Sequence, residues 1–197
     1  MLPGVSKAFL FVTGRRDVRR NRRLLSFVIA GAVFMTLAGS AMHFVYDWSG
    51  QNTVVGLFGP VNESIWEHAK LVFWPPLLWY VIMAWRFRRD RSLTVSAAAA
   101  MALWFMPLFQ IGFYYLYAAI AGHDVFIMDL VDFELTVILG QLLFYQVAVR
   151  SRCRKGRRTV ALLSVIVLAG LFAMLTFRPP HLPLFRDPQN STFGLPR

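Results

Sequence analysis

Most of the reactive chemistry in this sequence sits in one short run, Gly59-Pro60-Val61-Asn62-Glu63-Ser64-Ile65-Trp66-Glu67-His68-Ala69-Lys70. It holds two carboxylates, an imidazole, an amide, a hydroxyl, an indole and an ammonium. It stands directly before an apolar segment, Leu71–Trp85, of 15 residues. As helix that segment spans about 22 Å, whereas a hydrocarbon core is about 30 Å thick. The polar run is therefore expected to dip, as helix, into the outer part of a membrane. Polar groups at that depth are costly against lipid, so they should face one another or a wet cavity.

Two further places repeat the pattern. His43 and Asp47 lie one turn apart at the end of the first apolar stretch. Asp129, Asp132 and Glu134 precede the apolar stretch that starts at Leu135. Three helices thus bring acids and histidines to a similar depth. Mixed histidine and carboxylate sets suit a divalent metal, zinc first, with one position left for water. The first-choice ligands are His43, Glu67 and His68, with Asp47 and His181 as further ones. Glu63 is expected as general base or additional ligand, and Asp132 as the group that orients a histidine or positions substrate.

Spacing refines this. On a continuous helix Glu63 and Glu67 share a face, with Lys70 near it, and His68 is turned about 100° away beside Ser64. Asp129 and Asp132 can share a face. Asp132 and Glu134 point nearly opposite ways, so one of these acids needs a separate partner. Plainer roles stay open: an interfacial ring for His43, a first-turn carboxylate for Glu63, and a Glu67–Lys70 ion pair on one helix face. Trp48, Trp66 and Trp74, and the Tyr114, Tyr115 and Tyr117 group, fit aromatic belts. Of the inverted zincin motif His-x-x-Glu-His only Glu67-His68 is present, because Ser64 stands where the first histidine belongs. The sequence contains no phosphate loop, nucleophile elbow or dinucleotide fingerprint.

The elements that must position these groups follow from composition. The chain is 57% hydrophobic and carries a net charge of +11. Such charge in a soluble protein suggests nucleic acid, but here it falls in blocks between apolar runs, which is the pattern that orients membrane proteins. The expected fold is an all-α integral membrane bundle of five transmembrane helices. They run from Leu24 to about Tyr46, Asn62 to Arg86 with a kink at Pro75-Pro76, Leu93 to Ala121 interrupted at Pro107, Phe126 to Val149, and Thr159 to Phe177. Asn62 or Gly59 is the expected N-cap of the second. Residues 1–23 form a basic arm, in which Leu10–Val12 suits a short interfacial helix. Residues 178–197 form an outer Pro-rich tail, whose Leu182, Leu184, Phe185 and Phe193 favour folding back as a lid with His181 or Asp187 near the cluster.

The arm, the 86–91 turn and the 150–158 turn hold seven, four and six Lys/Arg, or 17 of 21. These sides are expected to be cytoplasmic, with the N-terminus inside and the C-terminus outside. Eight of the ten acids and all four histidines then map to the outer side. The lone Cys153 excludes an intramolecular disulfide. No cleavable signal is evident, so the first helix is expected to stay.

Val61-Asn62-Glu63-Ser64-Ile65-Trp66-Glu67-His68-x-Lys70-Leu71, with His43-x-x-Tyr46-Asp47-Trp48 before it and the Pro179–Pro188 tail after it, resembles a family of small bacterial integral membrane proteins of unknown function. Where that family's tail reads Thr-Gly-Thr-Tyr-Gly, this chain has Asn190-Ser191-Thr192-Phe193-Gly194. The resemblance implies a multi-pass protein of the bacterial cytoplasmic (inner) membrane and assigns no chemistry. Three functions are compatible with the residues. The first is a metal-dependent hydrolase or transferase acting on a lipid or lipid-linked substrate at the outer leaflet. The second is a proton- or cation-coupled small transporter, which a homodimer would supply with symmetry. The third is a structural or assembly subunit of a larger membrane complex. A histidine-ligated haem is a further option for the cluster. Membrane lipids are the expected partners, and nucleic acid is not.

Overall fold

The computed structural model describes residues 15–90, 93–150 and 155–195. The start of the basic arm, with Leu10–Val12, and Cys153 lie outside the described residues. Among the described residues six α-helices follow one another: α1 (Arg15–Trp48), α2 (Ile65–His68), α3 (Trp74–Arg86), α4 (Val95–Ala121), α5 (Phe126–Arg150) and α6 (Lys155–Phe177). Short 3-10 turns stand at Val55–Leu57 and Pro183–Phe185. The only β pairing among the described residues is one isolated bridge between Arg186 and Phe193.

Among the described residues, three helices are long and apolar enough to cross a membrane: Val18–Trp48, Val95–Ala121 and Arg158–Phe177. Their outer faces are apolar as well. Ile29, Val33 and Leu37 of α1 and Leu163, Ile166 and Val167 of α6 are all exposed. A helix that is hydrophobic all round belongs in lipid or in a large core.

Three boundaries differ from the sequence expectation. α1 begins at Arg15 rather than Leu24, because nothing between the arm and the apolar stretch breaks a helix and arginine favours one. The expected helix from Asn62 to Arg86 is instead two pieces, α2 and α3, joined by turns. Pro75 and Pro76 sit in the first turn of α3, where a missing N–H costs nothing. They start a helix rather than kink one. α4 runs through Pro107 without interruption.

α4 is the centre of the bundle and packs on α3, α5 and α6, while α1 covers α3 and α5. The basic ends meet: Arg19, Arg20 and Arg23 of α1 share a pocket with Arg86 and Arg89. The start of α4 is tied to the end of α5 by Thr94 N–H donating to the Ala148 carbonyl at 3.1 Å. The helix ends that carry the acids and histidines gather at the opposite end.

Close approach of α1 depends on Gly31. A Cβ there would lie 2.3 Å from both the Trp79 indole nitrogen and the Gln141 amide nitrogen. Those groups donate to the Phe27 and Val28 carbonyls of α1 at 3.2 and 2.9 Å. The backbone of α1 thus serves as acceptor for two neighbouring helices. Gly31→Ala is expected to destabilise the protein by about 1–3 kcal/mol through overpacking, read as a lowered melting temperature in detergent.

Candidate metal centre

Ser64 governs the local geometry of the polar run. Its backbone is extended (φ −71°, ψ 151°) and its hydroxyl accepts from Glu67 N–H at 3.4 Å. A serine N-cap starts α2 one residue after Glu63. Glu63 and Glu67 are therefore not stacked on one helix face, and their side chains go to different places.

Glu67 turns inward and is 2% exposed. Its Oε2 accepts from Lys70 Nζ at 2.6 Å and from Val61 N–H at 3.0 Å, and its Oε1 accepts from Thr176 Oγ1 at 2.9 Å. Lys70 is fully buried and also donates to the carbonyls of Gly56 and Gly59 at 2.7 and 3.2 Å. All three ammonium protons are used. Burial pulls Lys70 below its ordinary pKa while the Glu67 carboxylate opposes the shift. This pair ties the 56–61 loop, α2 and α6 together. Glu67, expected as a metal ligand, is thus placed on Lys70, Val61 and Thr176 rather than with His43 and His68.

Glu63 turns the other way. Its Oε2 is 3.3 Å from His68 Nε2, and its Oε1 is 3.8 Å from His43 Nε2. His43, Glu63 and His68 each offer one ligating atom, and these atoms lie within 4.8 Å of one another. Tetrahedral zinc with bonds of about 2.0–2.1 Å needs ligand atoms about 3.3 Å apart. The partner of His68 Nδ1 is the Ser64 carbonyl at 3.0 Å. A carbonyl only accepts, so Nδ1 carries the proton and Nε2 presents its lone pair to Glu63 when the ring is neutral. A lone pair facing a carboxylate needs a cation between them, either a proton or a metal. Burial pulls the His68 pKa down, but Glu63 and the Ser64 carbonyl more than offset it, so the net shift is upward. The hydrogen bond from His68 in turn holds Glu63 below the usual carboxylate range, against the effect of burial.

The three side chains open onto a cavity of about 540 Å³. Its other walls come from Ser40 and Phe44 of α1, Gln110 and Tyr114 of α4, Asp129 and Asp132 of α5, and Pro188 and Gln189 of the tail. Three carboxylates besides Glu63, those of Asp124, Asp129 and Asp132, therefore line the same space. Glu134 does not: it is the acid with a separate partner, accepting from Thr36 Oγ1 at 2.9 Å.

The family model of DUF6512, a family of unknown function, matches residues 17–195. The chain belongs to this family. No curated protein and no solved structure matches it. The DUF6512 match spans every site residue described above.

Within this DUF6512 chain the remaining expected ligands lie elsewhere. Asp47 is exposed. His181 stacks on Phe193, with ring centroids 4.6 Å apart, so it is held in the tail rather than in the triad. The tail nonetheless reaches the polar run. Asp187 accepts from Glu63 N–H at 3.3 Å, Phe185 is buried against Trp66, and the Gly194 carbonyl accepts from Asn62 Nδ2 at 2.9 Å. Trp66 also packs on Phe172. Tyr117 donates to Asp129.

Gln110 was not evident as a site residue. Its signal in the sequence is that no other residue between Leu103 and Phe113 has a hydrogen-bonding side chain besides Trp104, a context in which polarity marks function or pairing. The tail depends on Gly194, whose φ is +65° and whose Cβ would meet the Thr176 carbonyl at 2.7 Å. Gly194→Ala is expected to detach the last turn at a cost of about 1–3 kcal/mol, seen as faster proteolysis within residues 178–195.

Proposed function

We propose that this protein is a metal-dependent hydrolase or transferase that acts on a lipid or lipid-linked substrate at the outer leaflet of the bacterial cytoplasmic membrane. The observation that carries the proposal is the His43–Glu63–His68 triad at the wall of a cavity with an apolar rim. Two histidines and one carboxylate are a catalytic zinc set with a position left for water. Phe44, Phe126 and Leu130, which line the cavity, are exposed large apolar residues. Such a rim suits entry of an acyl chain from the side.

In this reading α3 and α5 complete five spans, with the N-terminus inside and the C-terminus outside. The 17 clustered Lys/Arg support that orientation. The tail, with Pro188 and Gln189 at the cavity, acts as the lid. His43, Glu63 and His68 would hold a zinc ion, which would supply an acidified water and a Lewis acid at the scissile acyl or phosphoryl centre. Asp132 takes the proton released as the water oxygen bonds to that centre. The bond to the leaving oxygen or nitrogen breaks, and the proton passes to that atom.

The test is turnover in vesicles. Zinc-loaded protein reconstituted in bacterial total lipid is expected to release a lyso- or headgroup product, detected by mass spectrometry. Chelator, Glu63→Gln and Asp132→Asn should each stop it. A product that persists under chelation would remove the metal from the mechanism. Metal without product, but with pH-dependent uptake into the vesicles, would favour the coupled carrier.

A further inference from the structure

Beyond the triad, the only charged side chains among the described residues that line the cavity are carboxylates. Asp124, Asp129, Asp132 and Gln110 line it, and no Lys or Arg is among the described residues that do so. The contrast with a net charge of +11 is sharp. Gln110 is 7% exposed, and its Oε1 is buried with no hydrogen-bond partner. Asp132 is 3% exposed and accepts from Thr136 Oγ1 at 3.3 Å. A carboxylate has about four acceptor positions, so that bond leaves most of them unused. Buried acceptors without donors are costly, and native structures rarely leave them so.

We propose that the cavity binds an amphiphile whose headgroup carries a primary ammonium. Such a group brings three donors and a positive charge to a wall that offers acceptors and negative charge. The rings of Tyr114 and Phe133 add faces that attract a cation. A phosphate would meet carboxylates and no fixed cation. An alcohol would satisfy Gln110 but leave the carboxylate charge unopposed. The inference rests on reading the cavity as the substrate site and names its headgroup class. It does not require the metal.

The test uses full-length protein in a neutral maltoside detergent, stripped of metal. Dodecylamine, dodecanol and dodecyl phosphate are titrated by calorimetry against wild type, Asp132→Asn and Gln110→Met. Dodecylamine is expected to bind about tenfold or more tighter than dodecanol, and each variant to weaken it about tenfold. Gln110→Met removes an unsatisfied buried acceptor at similar volume, so its melting temperature should hold or rise, which separates lost binding from lost fold. Ethylamine that competes fully would place the amine in solution; competition by the long-chain amine alone would place it in a lipid. Dodecanol binding as tightly as the amine would overturn the proposal. So would dodecyl phosphate binding as tightly in a Gln110-dependent way, or dodecylamine binding unchanged in both variants. Amine binding that survives while wild type shows no metal content would remove the hydrolase reading and leave this one standing.

Discussion

Lys70→Met is expected to lower the unfolding free energy by about 3–5 kcal/mol, the largest loss of any single change outside the hydrophobic core. The reason is what it leaves behind. Glu67 would remain 2% exposed, with a full negative charge and only the Val61 N–H and the Thr176 hydroxyl as donors. The carbonyls of Gly56 and Gly59 would lose a donor as well. The double variant Glu67→Gln/Lys70→Met is expected to recover much of the loss, because a neutral amide has no charge to strand. Chemical unfolding in mild detergent, followed by tryptophan fluorescence, measures both. A Lys70→Met loss under about 1 kcal/mol would mean that the pair is hydrated in the working protein. That would undo the argument that Glu67 is unavailable to a metal.

His43→Ala, Glu63→Gln and His68→Ala are each expected to weaken zinc binding by at least about 100-fold. Loss of an outer-shell partner alone costs about 10–100-fold, and these changes remove ligands themselves. Wild type purified in detergent should hold about one zinc per chain by elemental mass spectrometry. The control is Glu67→Gln. It should keep its zinc wherever it stays folded, since Glu67 points away from the triad toward Lys70 and Thr176. Zinc retained by all three ligand variants, or lost equally in Glu67→Gln, would show that the triad is not the site. Circular dichroism at matched concentration separates lost ligands from lost structure.

The sequence by itself determined the class of protein and the neighbourhood of the site. Long apolar runs with blocks of arginine between them point to helices that can cross a membrane, because the apolar outer faces of α1 and α6 do not suit contact with water. The same reading brought His43, Glu63 and His68 to one depth, since each stands at the boundary of an apolar run. It also showed that Asp132 and Glu134 could not share a partner, a consequence of helical periodicity alone.

Tertiary structure alone decided which carboxylate does what. Glu63 and Glu67 are the same residue type four positions apart, and on one continuous helix they are neighbours. The Ser64 cap and the Pro75-Pro76 start of α3 break that helix, which sends Glu63 outward to two histidines and Glu67 inward to Lys70. The donors that claim Glu67 come from Val61 and Thr176, the second more than a hundred positions away, so no local pattern could announce them. Gln110 gained its meaning in the same way. An isolated amide in an apolar helix becomes a site residue only when α1, α5 and the tail enclose the space in front of it and α5 brings carboxylates but no cation. Periodicity fixes which way a side chain points along one helix; what it meets there depends on chain closure over the whole bundle.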